Sequence, residues 1–230
     1  MQEQSLTQEI SKERSFFNKV YGWMAFALFI TGFASLYVIS SPNLLRILYG
    51  NSMILIGLFI AELALVFYLS RNISKMSLSA AKISFIGYSI LNGVTLSGIF
   101  LIYTGASIVQ TFMITALTFT FMSIYGYTTK SDLTELGKLM FVGLVGIIIA
   151  SLINIFMRSE MIYWIISYVG VIVFIGLTAY DTQKIKKMLH QITGDEDTYH
   201  KYAILGALTL YLDFINLFIM LLRIVGNRRN

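Results

Sequence analysis

The stretch YAILGALTLYLDFINLFIMLL, residues 202–222, decides the fold. It holds 21 residues and one charged side chain, Asp213. Wound as a helix it is about 31 Å long, the thickness of a bilayer's hydrocarbon core. Six similar runs precede it, at residues 19–39, 52–70, 80–103, 107–127, 137–157 and 161–180. All are continuously apolar, without the period-two alternation of barrel strands, so they predict helices. The sequence therefore predicts an all-α membrane protein with seven transmembrane helices. Residues 19–226 form the transmembrane domain, residues 1–18 a polar cytoplasmic arm and residues 227–230 a short tail.

Composition agrees. Hydrophobic residues make up 57% of the chain and charged residues 13%. There is no cysteine, which excludes disulfides, thiolate catalysis and zinc–cysteine sites. The single proline, Pro42, falls in the first outer loop, so no span is expected to be broken by proline. The first run follows 18 polar residues and lacks a clear small-residue cleavage site, so it is read as a retained span rather than a signal peptide. Twelve lysines and arginines lie on the side of the N-terminus. Five, Arg46, Arg158, Arg223, Arg228 and Arg229, lie on the other. The positive-inside rule then places the N-terminus in the cytoplasm and the C-terminus outside. The net charge of +5 follows from this bias and gives no reason to invoke nucleic acid.

Two aspartates lie where lipid is expected, Asp181 at the end of the sixth run and Asp213 inside the seventh. A carboxylate near the bilayer centre costs about 2.5–3.5 kcal/mol on insertion scales, so it persists facing protein or water and usually has a role. The segment KIKKMLHQITGDEDTYH between them reads as a helical hairpin with its turn at residues 194–197. If both helices run unbroken to residue 197, each aspartate lies 16 residues, about 24 Å, from it. Two carboxylates at one depth in a low-dielectric setting cannot both ionise cheaply, so they titrate as a unit and share a proton. When both are ionised they repel unless a cation arrives, and calcium, which prefers oxygen ligands, fits best. Water or other oxygens would complete so small a site. Thr209, Asp213 and Asn216 fall on one helix face, as do Thr178 and Asp181, which makes Thr209, Asn216 and Thr178 supporting polar residues.

Glu62 is the other acidic residue well inside a span; it lines a pathway or bonds to a neighbouring helix. Arg71 lies nine residues, about 13.5 Å, further along, too far for a direct pair. It reads as an orientation anchor or as a counter-charge for Asp181. Ser89, Gly93 and Ser97 repeat every four residues as a packing seam. His190 and His200 flank an acidic loop that lacks the EF-hand pattern.

The stretches ALTLYLDFINLFIMLLR at 207–223, AYDTQKIK at 179–186 and YGYTTKSDL at 125–133 resemble the Bax inhibitor family, in particular its bacterial members. The order and number of spans agree from Phe16 onward. The resemblance implies that the last helix is central and surrounded by the other six. It also implies a pH-sensitive calcium leak, in a bacterial inner membrane, with a paired-aspartate sensor. That pair carries over onto Asp181 and Asp213, and the arginine ending the last span onto Arg223. Arg71 is the nearest equivalent of a latch arginine, although its spacing from Glu62 departs from the family pattern.

Calcium is then the transported or bound ion, with no resident cofactor. A second function class is an interaction protein that modulates a membrane-anchored ATP-dependent protease, docking through residues 1–18. An aspartyl protease is disfavoured because the stretch around Asp213, LYLDF, has no glycine to admit a substrate backbone. The charge bias makes one direct prediction. A reporter fused after Asn230 should be active only on the external side; cytoplasmic activity would mean that the seventh run does not cross.

Overall fold

A computed structural model describes residues 2–229, and the side chains of all of these except residues 2–7 and 9. Its helices are α1 (Gln2–Ser40), α2 (Pro42–Gly50), α3 (Ser52–Asn72), α4 (Leu78–Leu96), α5 (Ile99–Ile102), α6 (Gly105–Thr128), α7 (Thr134–Met157), α8 (Glu160–Leu189) and α9 (Glu196–Val225). The described residues hold no β-strand. Seven spans are long and apolar enough to cross a membrane, with α4 and α5 counted together as one. Their outer faces carry large apolar side chains, such as Phe156, which is 88% exposed. Only lipid makes so much exposed apolar surface tolerable, and the chain is an integral membrane protein.

Helix boundaries follow from local chemistry. The hydroxyls of Ser77 and Thr104 accept from the amides of Ala80 and Ser107 and cap α4 and α6. Asp195 caps α9 by accepting from the Thr198 amide at 3.0 Å and its hydroxyl at 2.7 Å. These two hydrogen bonds, side chain first, hold the Asp195 carboxyl below its ordinary range. Just before it, Gly194 adopts a φ of 145°, open mainly to glycine.

The chain forms two compact units. The first comprises Met1–Leu101 and Leu189–Tyr211, and the second Ile102–Met188 and Leu212–Asn230. In the first, the seam of α4 packs on α1. Thr31 Oγ1 donates to the Ser89 carbonyl and Ser35 Oγ to the Gly93 carbonyl. Tyr211 from α9 meets Phe85 and Tyr88 edge-on. In the second unit, Val173, Phe174 and Leu177 of α8 pack with Leu217 and Met220 of α9. Phe214 lies between Phe112 and Phe119 of α6. Among the seven spans α9 is the most buried, at 67% of its most apolar window, and α7 the least, at 6%.

Several sequence expectations change. The polar arm expected at residues 1–18 continues the helix of the first span, so residue 18 marks no break. Phe16 within it is fully buried. The outer loop around Pro42 is the short helix α2, with proline at its first position. The hairpin turn expected at 194–197 is shifted and longer: α8 ends at Leu189, residues 190–195 form the connection, and Glu196 and Asp197 already belong to α9. The tail pairs with the start of the second unit, through Thr104 N to Asn227 O and Arg229 N to Ile102 O.

Gly126 sits where α6 crosses α8, and a methyl group there would run into the Ala179 carbonyl. Gly126→Ala should therefore destabilise the protein by about 1–3 kcal/mol through overpacking, read as a lowered Tm. Gly146→Ala, which meets nothing within 4 Å, is the control and should be close to neutral.

Candidate functional site

Asp181 on α8 and Asp213 on α9 are brought together, near enough for each carboxyl to act on the other. They are 9% and 5% exposed. Ionised carboxyls only accept hydrogen bonds, so a hydrogen bond between the two needs a proton on one of them. Asp213 Oδ2 has no hydrogen-bond partner although it is fully enclosed. Lys184 Nζ lies 4.0 Å from Asp181 Oδ1. That lysine is well exposed, so it offsets little of the pair's charge.

The equal depth of the two carboxyls does not come from equal arms. Asp181 lies eight residues before the end of α8 and Asp213 seventeen after the start of α9. Along the helix axes these are about 12 Å and about 26 Å. The pair meets at the packed faces of the two helices rather than by symmetry about the tip.

The three residues read as supporting do not bond to the pair. Thr178 donates to Phe174 O, Thr209 to Leu205 O and Asn216 to Leu212 O, each one turn back on its own helix. The hydroxyl hydrogens of both threonines and one of the two Asn216 amide hydrogens are thus occupied, while the hydroxyl and amide oxygens keep free lone pairs. Among the described residues no third carboxylate, imidazole or thiolate gathers with the aspartates. A cation held there would need oxygens from hydroxyls, carbonyls or water to complete its shell.

The pair rests on a clamp that the sequence did not signal. Gln183, two residues after Asp181, accepts from the Leu133 amide at 2.9 Å and donates to Ser131 O at 2.8 Å. Lys187 donates to Asp132 Oδ1 at 2.6 Å. Lys186 lies over the Tyr127 ring. The stretches 125–133 and 179–186, both quoted above for their likeness to one family, are therefore one contact. Chiefly the Lys187 hydrogen bond, then those from Thr134, hold the exposed Asp132 carboxyl at about 2, below an ordinary 3.8. Its contribution is complete above the ordinary value and is lost only as pH falls through about 2.

Glu62 and Arg71 belong to the first unit and Arg223 to the second. Glu62 is buried in the first unit and accepts from Thr95 Oγ1 at 2.7 Å. Asn92 Oδ1 accepts from Tyr211 OH at 2.9 Å, and that hydroxyl meets Thr31 Oγ1 at 2.6 Å. Of the two readings of Glu62, the bond to a neighbouring helix is present. Thr31 and Tyr211 were missed; their signal was Thr31 and Ser35, one turn apart in the first span. Arg71 is exposed in the last turn of α3 and, among the described residues, makes no salt bridge. Arg223 stacks over the Tyr163 ring at 5.4 Å. His190 pairs with Glu13 and His200 with Glu196.

Residues 13–230 match the sequence profile of the family described as "Inhibitor of apoptosis-promoting Bax1". The chain is 52% identical over 226 residues to the "Inner membrane protein YbhL" of Escherichia coli strain K12, covering 98% of this chain and 97% of that protein. It is 46% identical over 223 residues to an uncharacterized protein of Borreliella burgdorferi, covering 97% and 96%.

The clamp yields two expected outcomes. Gln183→Ala leaves the buried Leu133 amide unpaired and should cost about 1–3 kcal/mol, read as a lowered Tm. Asp132→Asn should leave any pH response between about pH 5 and 8 unchanged, because Asp132 stays ionised throughout that range.

Proposed function

The chain belongs to the Bax inhibitor family of membrane proteins, and we propose that it is a pH-sensitive calcium leak whose sensor is the Asp181–Asp213 pair. The observation that carries this reading is the juxtaposition of two buried carboxyls on adjacent helices, with Asp213 Oδ2 enclosed and unpartnered. Such an arrangement has two low-energy conditions. With one proton, the pair ties α8 to α9. With none, it carries two adjacent charges, which in a low-dielectric setting need a counter-ion.

Calcium suits the second condition as a hard cation that binds carboxylate oxygen. It is the transported ion here, so a site built from two carboxylates, and not a full cage, is appropriate: conduction requires binding weak enough to allow exit. Proton and calcium compete for the same oxygens, so calcium binding should tighten as pH rises. Lys184 is too exposed to replace either. The positive-inside bias orients the leak with its N-terminus in the cytoplasm of a bacterial inner membrane.

The test is calcium binding by the purified protein between about pH 5 and 8. Asp213→Asn keeps a hydrogen-bonding side chain and removes one titrating group. It should abolish the pH dependence while leaving the protein folded. Asp181→Asn should do the same, and the double variant should add little, because the two act as a unit. A single variant that kept the wild-type pH dependence would return both residues to a structural role.

A further inference from the structure

At the junction of α7 and α8 the second unit opens a cleft of about 590 Å³ that the leak does not use. Three arginines line it: Arg158, Arg223 and Arg228. Arg223 and Arg228 converge on one aromatic ring, with their guanidinium carbons 5.4 and 5.7 Å from the centre of Tyr163. Arg228 Nη2 also donates to the Tyr163 hydroxyl at 3.4 Å. None of the three forms a salt bridge among the described residues, and Glu160 is the one carboxylate among the lining residues. Like charges gathered this closely are costly unless an anion joins them.

Two of the three, Arg158 and Arg228, are held in place by backbone. Arg158 is the only non-glycine described with positive φ, at 51°. Its amide donates to Asn154 O at 2.8 Å, and Asn154 Oδ1 accepts from the Ser159 amide. Arg228 lies between two residues whose backbones bond to the start of the unit, Asn227 to Thr104 and Arg229 to Ile102. The tail is thereby fixed over the cleft, with Asn227 N donating to Ser107 Oγ as well.

Depth and neighbours identify the ligand. Trp164, on the rim, stacks on Tyr168, and both are exposed. Paired amphipathic rings of this kind sit at headgroup level in a bilayer. Below them on the same helix face Ile172 is exposed, so Trp164, Tyr168 and Ile172 make an apolar strip running from the cleft into the span. Guanidinium forks match phosphate oxygens. We propose that this cleft is a binding site for an anionic phospholipid, its phosphate among Arg158, Arg223 and Arg228 and its chains along the α8 strip. Basic pockets at the ends of transmembrane helices recognise lipid headgroups by the same chemistry.

The test is native mass spectrometry of the full chain in neutral detergent. The probes are phosphatidylglycerol, phosphatidylcholine with the same chains, and inorganic phosphate. Phosphatidylglycerol should bind saturably and more tightly than either. Arg158→Gln and Arg228→Gln should each weaken it about fivefold, the equivalent of about 1 kcal/mol per basic residue near an anionic surface. Arg46→Gln, which removes the same charge from α2, should not. Arg228 is exposed and its neighbours' backbone pairing does not depend on its side chain, so Arg228→Gln decides the matter even if Arg158→Gln fails to fold. Unchanged binding in Arg228→Gln, an equal loss in Arg46→Gln, or equal affinity for phosphatidylcholine would overturn the proposal. Inorganic phosphate binding as tightly as phosphatidylglycerol would also overturn it, and would make the ligand a free anion.

Discussion

The second unit is built around one constraint, two buried carboxyls facing each other from adjacent helices. In hydrocarbon every polar group must be satisfied within the protein, and a carboxylate is the most expensive to leave unsatisfied. The surroundings of the pair meet this demand selectively. Thr178 and Thr182 spend their hydrogens on their own helix. Ser123 reaches Thr182. Gly126 lets α6 close on α8 at the level of Ala179, just before the pair. The Gln183 and Lys187 contacts then fix the end of α8 to the α6–α7 connection. Asp213 Oδ2 is left enclosed without a partner.

Glu62 shows the alternative treatment of a buried acid. In the first unit Thr95 donates to it, and Asn92 on the same helix as Thr95 is held by Tyr211. A carboxyl held by a hydrogen bond from a neighbouring helix is a structural tie between the two. The aspartate pair has the same residue chemistry with a deliberately incomplete partner set. That difference makes the pair, rather than Glu62, the better seat for an exchangeable proton or cation.

The seven spans and the two aspartates were legible in the sequence because both follow from single-residue energetics. Apolar runs of bilayer length announce helices, and a charge inside one is conspicuous. What stayed hidden depends on pairings between distant segments. Gln183 looked like any polar residue near a helix end, yet it satisfies backbone groups fifty residues away. Tyr211 passed as part of an apolar run because its ring packs among aromatics and only its hydroxyl is polar. The hairpin connection starts earlier than expected because the helix stop at Leu189 falls among residues with no strong breaker, and the Asp195 cap starts α9 within the expected turn. The supporting threonines were assigned by shared face, but a helix offers a hydroxyl its own carbonyl four residues back before any neighbour.

The arginine cleft is proposed to meet the lipid that surrounds the chain. The aspartate pair is proposed to meet what passes through that lipid, and the property proposed for it is a proton shared between two carboxyls and displaced by calcium. The most direct measurement is the number of protons released per calcium bound, taken by calorimetry in buffers of different ionisation heat. Where the pair is singly protonated, the account predicts the release of about one proton per calcium. Calcium binding without proton release at any pH between about 5 and 8 would contradict it.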